Sequence, residues 1–206
     1  METSIAIADL AELSPKQKDI LVAARREFAR LGYRAVTVRG IAEKAQVSTR
    51  TIYDYFGDKL GLFTACIDAG ASNFRPPVMV AGVDPAVALR AHAVAVLRRL
   101  TSEGSLQLGL MIFRDAGEFP EINAAAMRNH EQYLLKPLAT FLQDLGVAEE
   151  RSHNLARLFL NMTTSEWQRR IFFGGDQISD AEVLDHADLV TEVFLRGLGD
   201  ARATDA

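Results

Sequence analysis

The sequence predicts an all-α protein of about nine helices with no sheet, and three observations carry that expectation. Strict alternation of apolar and polar residues is almost missing, whereas apolar residues recur at spacings of three and four along most of the chain. Helix-start signals at Ser14-Pro15, Thr37, Ser48, Asp84-Pro85, Pro120 and Ser179 each precede such a run. Gly32, Gly174-Gly175 and Gly199 stand where runs end, as helix stops do.

Taken in order, Ser14-Pro15-Lys16-Gln17 combines an N-cap, a proline at the first helical position and a glutamine that completes a capping box. Ile20, Ala24, Phe28 and Leu31 follow as one apolar stripe, and Gly32 ends the helix. Thr37 caps a short helix bearing Val38, Ile41, Ala42 and Ala45; Ser48 caps the next, with Ile52 and Phe56 inward. Gly57-Asp58 restarts a fourth helix through Leu62, Phe63 and Ile67 to Phe74. Arg75-Pro76-Pro77 breaks the pattern, which divides the chain into an N-terminal domain at 1–57, a connecting helix at 58–74 and a C-terminal domain at 75–206. Beyond the break, helices are expected from Asp84-Pro85 to Leu100, Ser105 to Phe113 and Pro120 to Leu145. Pro137 should kink the last of these near Tyr133, because its ring removes a hydrogen bond and crowds the preceding turn. Two more helices, Ala148 to Phe173 and a final one capped by Ser179 and Glu182 and reaching Leu198, complete the set.

Charge is unevenly spread. The net charge is −4, yet Lys16 to Lys59 holds ten Lys/Arg against five Asp/Glu, while the rest of the chain is acidic. A positive block on an acidic protein suggests a polyanionic partner for that block, against the plainer reading of a solvated helix face. Cys66 is alone, so no internal disulfide is expected and a reducing, cytoplasmic setting fits. No charged-then-apolar leader and no run of about eighteen apolar residues is present, so neither export nor a membrane span is expected. His92, His130, His153 and His186 are scattered, which argues against a metal site, and no cofactor motif is found. Asp115 and Glu118 in "RDAGEFPE" can be imagined as an acid/base pair, but no nucleophile, Gly-rich phosphate loop or metal motif accompanies them. The chain does not read as an enzyme.

The two short helices, Thr37 to Ala45 and Ser48 to Phe56, have the length and tight junction of a helix-turn-helix, whose second helix enters the major groove of DNA. Ile41, Ala45, Val47, Ile52 and Phe56 would lock both onto the first helix and leave Thr49, Arg50, Tyr53 and Asp54 outward. Hydroxyls and backbone N–H groups at the helix starts suit phosphate oxygens, and Arg50 or Arg39 suits the bidentate contact to a guanine edge. Asp54 can accept from a cytosine amino group, repel phosphate, or pair with Arg50 four residues earlier.

Thr37-Val-Arg-x-Ile-Ala-Glu-x-Ala, Val47-Ser and Thr51-Ile-Tyr-x-Tyr-Phe-x-x-Lys-x-x-Leu-Phe63 together resemble the N-terminal domain of the TetR family of one-component transcriptional regulators. "GEFPE" (117–121), "RLFLNMTTSEWQRRIFFGG" (157–175) and "VFLRGL" (193–198) more loosely resemble the C-terminal domain of one subgroup. The resemblance implies an all-helical homodimer, usually a repressor, that leaves double-stranded operator DNA when a small-molecule effector binds. It also implies that Thr37, Tyr53, Tyr55 and Lys59 meet phosphate and that Arg39, Thr49 and Arg50 reach bases, with Val38 and Ser48 in the same stretch. One departure stands out: the family usually has Gly in the turn where this chain has Gln46, a position tending toward positive φ.

For the C-terminal part, Leu155, Leu158, Phe159 and Met162 on one helix and Val183, Ala187, Val190, Val193 and Phe194 on the last form stripes that would build a four-helix dimer interface, unless they serve the monomer core. An apolar effector pocket is expected among Phe74, Met79, Met111, Phe113, Phe119, Met127 and Trp167, with His130, Tyr133, Asn161 and Thr164 as polar anchors. A DNA-binding protein with no effector is the alternative.

Overall fold

The computed structural model describes residues 13–72, 82–115, 117–174 and 178–203, and among these every regular element is helical. Four helices come first: α1 (Pro15–Ala35), α2 (Val38–Lys44), α3 (Thr49–Phe56) and α4 (Lys59–Ser72). Next are α5 (Pro85–Thr101), α6 (Glu103–Asp115) and α7 (Pro120–His130), then a π-helical turn (Glu131–Leu135) that runs into α8 (Lys136–Asp144). The two longest, α9 (Glu149–Phe173) and α10 (Asp180–Ala203), follow.

The expected caps form. Ser14 Oγ accepts from the Gln17 N–H while Gln17 Oε1 accepts from the Ser14 N–H, closing the capping box on α1. Asp84 accepts from the N–H groups of Ala86 and Val87, and Ser179 and Glu182 make the reciprocal pair that starts α10. Several boundaries differ from expectation, α6 among them, which runs two residues further at each end, from Glu103 to Asp115. Gly32 (φ 82, ψ 162) interrupts helical geometry, but helix resumes after it as far as Ala35. α10 does not stop before Gly199 and continues to Ala203. The kink expected from Pro137 takes the form of the π turn over Glu131–Leu135, a wider turn that absorbs the hydrogen bond proline cannot donate. The break at 75–77, Phe74 and Met79 lie outside the described residues.

Packing divides the chain into two compact units: Met1–Phe74 with Gln107–Asn129, and Arg75–Leu106 with His130–Ala206. Residues 107–129, read from the sequence as part of a C-terminal domain, therefore pack with the N-terminal helices. The cause is apolar burial: Met111, Ile122 and Ala125 enter the same core as Ile20, Phe28, Ile41, Ile52 and Phe63. Within it Phe28 stacks on Tyr33 and Phe63 meets both edge-on, with ring centroids 5.0–5.8 Å apart. Asn129 at the end of α7 donates to Asp68 on α4 at 2.7 Å, pinning the two helices.

In the second unit α5 lies against α9 and α10. Its core is Leu89, Ala93, Val96 and Leu97 from α5, Ala156, Phe159 and Leu160 from α9, and Val183, Ala187, Val190 and Phe194 from α10. At the surface, Arg90 pairs with Asp188 and Arg98 with Asp180, which sets α5 and α10 antiparallel.

Candidate nucleic-acid interface

The turn between α2 and α3 is built from backbone bonds. Val47 N–H donates to Ala42 O at 3.0 Å and Gln46 N–H to Glu43 O at 3.4 Å, the pairing of a Schellman motif, with Gln46 in the left-handed region at φ 55. A glutamine there carries steric strain that glycine would not. Ser48 then caps α3, its Oγ accepting from Thr51 N–H at 3.1 Å. Ile41, Ala42, Ile52 and Phe56 are buried, so α3 can present only its other face.

That face is the expected one. Thr49, Arg50, Tyr53 and Asp54 are exposed, as are Thr37, Arg39 and Ser48. Thr37 Oγ1 accepts from Gly40 N–H at 3.1 Å, which caps α2 and leaves the hydroxyl hydrogen able to donate. Both candidate reading arginines are paired within their own helix: Arg39 with Glu43 at 3.1 Å and Arg50 with Asp54 at 3.9 Å. Exposed pairs one turn apart are worth only a few tenths of a kcal/mol, so a guanine edge can displace either carboxylate. Of the readings open for Asp54, pairing with Arg50 is the one adopted in the free protein.

Val38, expected at the interface, is instead buried in the core of the first unit; it is the first residue of α2, and the helix turns its side chain inward. Tyr55 is half-buried with its ring edge on Phe56, unlike the exposed Tyr53. Lys59 is also partly withdrawn: Nζ donates to Arg34 O at 3.3 Å and lies 4.5 Å from the Tyr33 ring centroid. Burial lowers its pKa from the ordinary lysine value, with the nearby Asp115 charge opposing.

Two supports of this head were not singled out from the sequence. Gly61 lies where α4 approaches the end of α3 so closely that a Cβ would collide with the Phe56 carbonyl. A glycine inside a helical run, where it costs stability, was the available signal. The second is Asp115, set aside above as a loop residue. Its carboxylate is buried and accepts from Tyr33 N–H at 2.7 Å and from Arg114 Nε at 2.8 Å. Burial pushes the Asp115 carboxyl up, but the bonds from Arg114 and Tyr33 outweigh it and hold the pKa below the usual range. A side chain on Gly32 would strike the Arg114 guanidinium, so the broken helix at Gly32 makes room for this contact. Glu118 pairs separately with Arg34, and the Phe119 ring meets Tyr33 edge-on at 5.0 Å.

The residues expected around an effector are shared between the two units. Met111 is buried in the core of the first unit and Phe119 packs against it, while Phe113 and Met127 are exposed. In the second unit Asn161 is exposed; Thr164 is buried, donating to Leu160 O at 2.9 Å and accepting from Gln168. His130, Tyr133 and Trp167 are half-buried. The expected dimer stripe is also corrected: Phe159, Val183, Ala187, Val190 and Phe194 are buried inside the unit. Leu155 and Met162 are half-buried, and the large apolar residues exposed on these helices are Leu158, Phe172, Phe173, Leu189 and Val193. α10 is apolar on two sides, and periodicity does not tell which one a neighbouring helix covers.

Among the described residues no His/Cys/Asp/Glu group could hold a metal ion, and no helix is long and apolar enough to cross a membrane. Residues 20–66 match the family described as bacterial regulatory proteins, tetR family, and residues 87–199 match the AefR-like transcriptional repressor C-terminal domain. The HTH-type transcriptional regulator YvkB of Bacillus subtilis (strain 168) is 27% identical over 194 residues, covering 90% of this chain and 98% of its own. The HTH-type transcriptional repressor AcnR of Corynebacterium diphtheriae is 38% identical over 72 residues, 35% of this chain and 38% of its own. A solved TetR-family regulator of Mesorhizobium loti MAFF303099 shares the fold at a TM-score of 0.74 and 25% identity, over 88% of this chain and 95% of that one. With an exposed recognition helix on a packed three-helix head and a family match that spans more than half its length, this chain belongs to the TetR family of DNA-binding transcriptional regulators.

Proposed function

We propose that the protein is a repressor that binds a pseudo-palindromic operator as a homodimer and leaves it when a small molecule binds its C-terminal unit. The observation that carries the DNA half is the outward face of α3, where Thr49, Arg50, Tyr53 and Asp54 stand exposed on a helix whose other side is buried. In this reading Arg50 and Arg39 leave Asp54 and Glu43 to meet base edges, with Thr49 beside them. Thr37, Ser48, Tyr53, Tyr55 and Lys59 hold phosphates, which requires Lys59 to leave the Arg34 carbonyl. The helices up to residue 57 read DNA, 58–74 connects, and the second unit, 75–106 with 130–206, carries effector binding and dimerisation. Repression is supported by the matched C-terminal domain, described as that of a transcriptional repressor.

Dimerisation would use the outer faces of α9 and α10, where Leu158, Leu189 and Val193 are exposed. It would set two recognition helices about 34 Å apart, one duplex turn. Effector control is then a population shift: a molecule that favours the form with misplaced heads weakens DNA binding, and DNA weakens the molecule's binding by the same factor. The regulator works in the cytoplasm, where its DNA is.

Mobility-shift titrations on a selected operator and on random DNA, at several salt concentrations, test the reading. Arg50→Ala should lose about 1–3 kcal/mol of base discrimination. Lys59→Ala should weaken both DNAs alike and flatten the salt slope. Equal loss on both DNAs for Arg50→Ala and Arg39→Ala would refute the base-reading assignment. A complex that no metabolite or extract fraction dissolves would refute effector control.

A further inference from the structure

We propose that His92 is the polar anchor of a ligand site inside the second unit, built for an uncharged, mainly aromatic molecule that carries a hydroxyl or carbonyl group. The inference names the ligand class for the effector reading above and rests on it.

His92 is fully buried on α5, on a face otherwise made of Ala88, Leu89, Ala93, Val96 and Leu97. Among the described residues neither ring nitrogen has a hydrogen-bond partner. Burial lowers the pKa of the ring from its ordinary value to about 4, so the imidazole is neutral and offers one N–H donor and one bare nitrogen acceptor. Both are wasted as the protein stands, and buried groups in folded proteins are rarely left so. Two further atoms of the same unit share this condition: Thr191 Oγ1 on α10 and Trp167 Nε1 on α9.

The helices have a local remedy that they do not use here. Thr163 and Thr164 on α9 are equally buried, and each hydroxyl donates to the carbonyl one turn back, Phe159 O or Leu160 O, at 2.9 Å. Thr191 makes no such bond. The unpaired imidazole costs stability, and a ligand that supplies it a donor and an acceptor recovers that cost on binding.

The surroundings decide the class. The Phe159 ring centroid lies 6.5 Å from that of His92, and Phe159 meets Phe194 edge-to-face at 4.9 Å, so an aromatic body is matched. The arginines around this core are engaged: Arg90 with Asp188, Arg98 with Asp180, Arg170 with Glu166 and Glu182. An anionic ligand held against this apolar face would have to give up its hydration, and protonating the ring to meet it is opposed by burial.

The test uses full-length protein labelled with 15N-histidine and three probes of similar shape: 4-methylphenol, toluene and benzoate. His92 ring signals are assigned by their loss in His92→Phe. The expected result is that 4-methylphenol moves the His92 signals and binds at least tenfold tighter than toluene or benzoate. In His92→Phe that preference disappears while toluene still binds, and His92→Gln, which keeps a donor and an acceptor, retains part of it. Equal affinity for 4-methylphenol and toluene, unmoved His92 signals, or no binding of any probe would overturn the site. Extract fractions that release operator DNA separate the two levels. Release unchanged in His92→Phe overturns the site and leaves effector control standing. No release from the wild type, with 4-methylphenol bound at His92, overturns effector control and leaves the site.

Discussion

In the first unit the buried Asp115 carboxylate is matched by Tyr33 N–H and Arg114, and Asn129 donates to both Asp68 and Ala125 O, leaving only its own carbonyl oxygen unpaired. In the second, His92, Thr191 and Trp167 keep buried atoms with no partner among the described residues. The contrast fits the division of work proposed for the two units. A head that holds a recognition helix toward a duplex of fixed geometry gains from a matched network, because satisfied buried bonds rigidify their surroundings. A unit that responds to a small molecule, as proposed, would gain from groups whose pairing is incomplete until that molecule arrives.

The largest expected effect tests the unmatched side. The folded pKa of His92, about 4, lies below the unfolded value near 6.5. Between those values the unfolded chain binds a proton that the fold refuses, so stability is full above pH 6.5 and falls as pH drops toward 4. The loss is on the order of 3 kcal/mol. Urea melts at pH 7 and pH 4.5 should show this extra loss in the wild type and not in His92→Phe, which should also be more stable at neutral pH. Equal pH dependence in both proteins would break the contrast, since His92 would then not be the strained group.

On the matched side, Asp115→Ala should cost about 2–3 kcal/mol, because it strands the buried Tyr33 N–H and removes a charged acceptor. The same substitution should loosen the ends of α1 and α4, read as faster hydrogen exchange at Tyr33 and Lys59. A neutral result would mean that the network is decorative. Smallest is the turn between α2 and α3. Gln46→Gly should raise stability by about 0.5–1 kcal/mol, since glycine occupies φ 55 without the clash of a Cβ. The gain is seen as an upward shift of the thermal midpoint with operator preference unchanged.

The reading head was the legible part because its information is local. Ser14 with Gln17, Thr37, Ser48 and the Gln46 turn each act over three or four residues, and the structure realises all four. Ile41, Ile52 and Phe56 could be set inside by helical spacing alone. Val38 was set at the interface by the resemblance, although its spacing of three from Ile41 puts it on the same buried face. In the second unit the periodic stripes on α9 and α10 were visible, but their partner was not: Val183, Ala187, Val190 and Phe194 turn inward in a unit where α10 packs against α5. His92 was passed over for the same reason, since a lone histidine among alanines and leucines reveals its burial only once other helices enclose it.

The amino-acid order by itself determined where helices start, that they form no sheet, and which face of α3 points to solvent, because capping and periodicity are set by neighbours within one or two turns. Tertiary structure alone decided that 107–129 join the first core, that Asp115 holds the Tyr33 backbone, and that His92 is sealed without a partner. Each of these depends on residues tens of positions apart meeting in space, and contact at that range is decided by the burial of all the faces together.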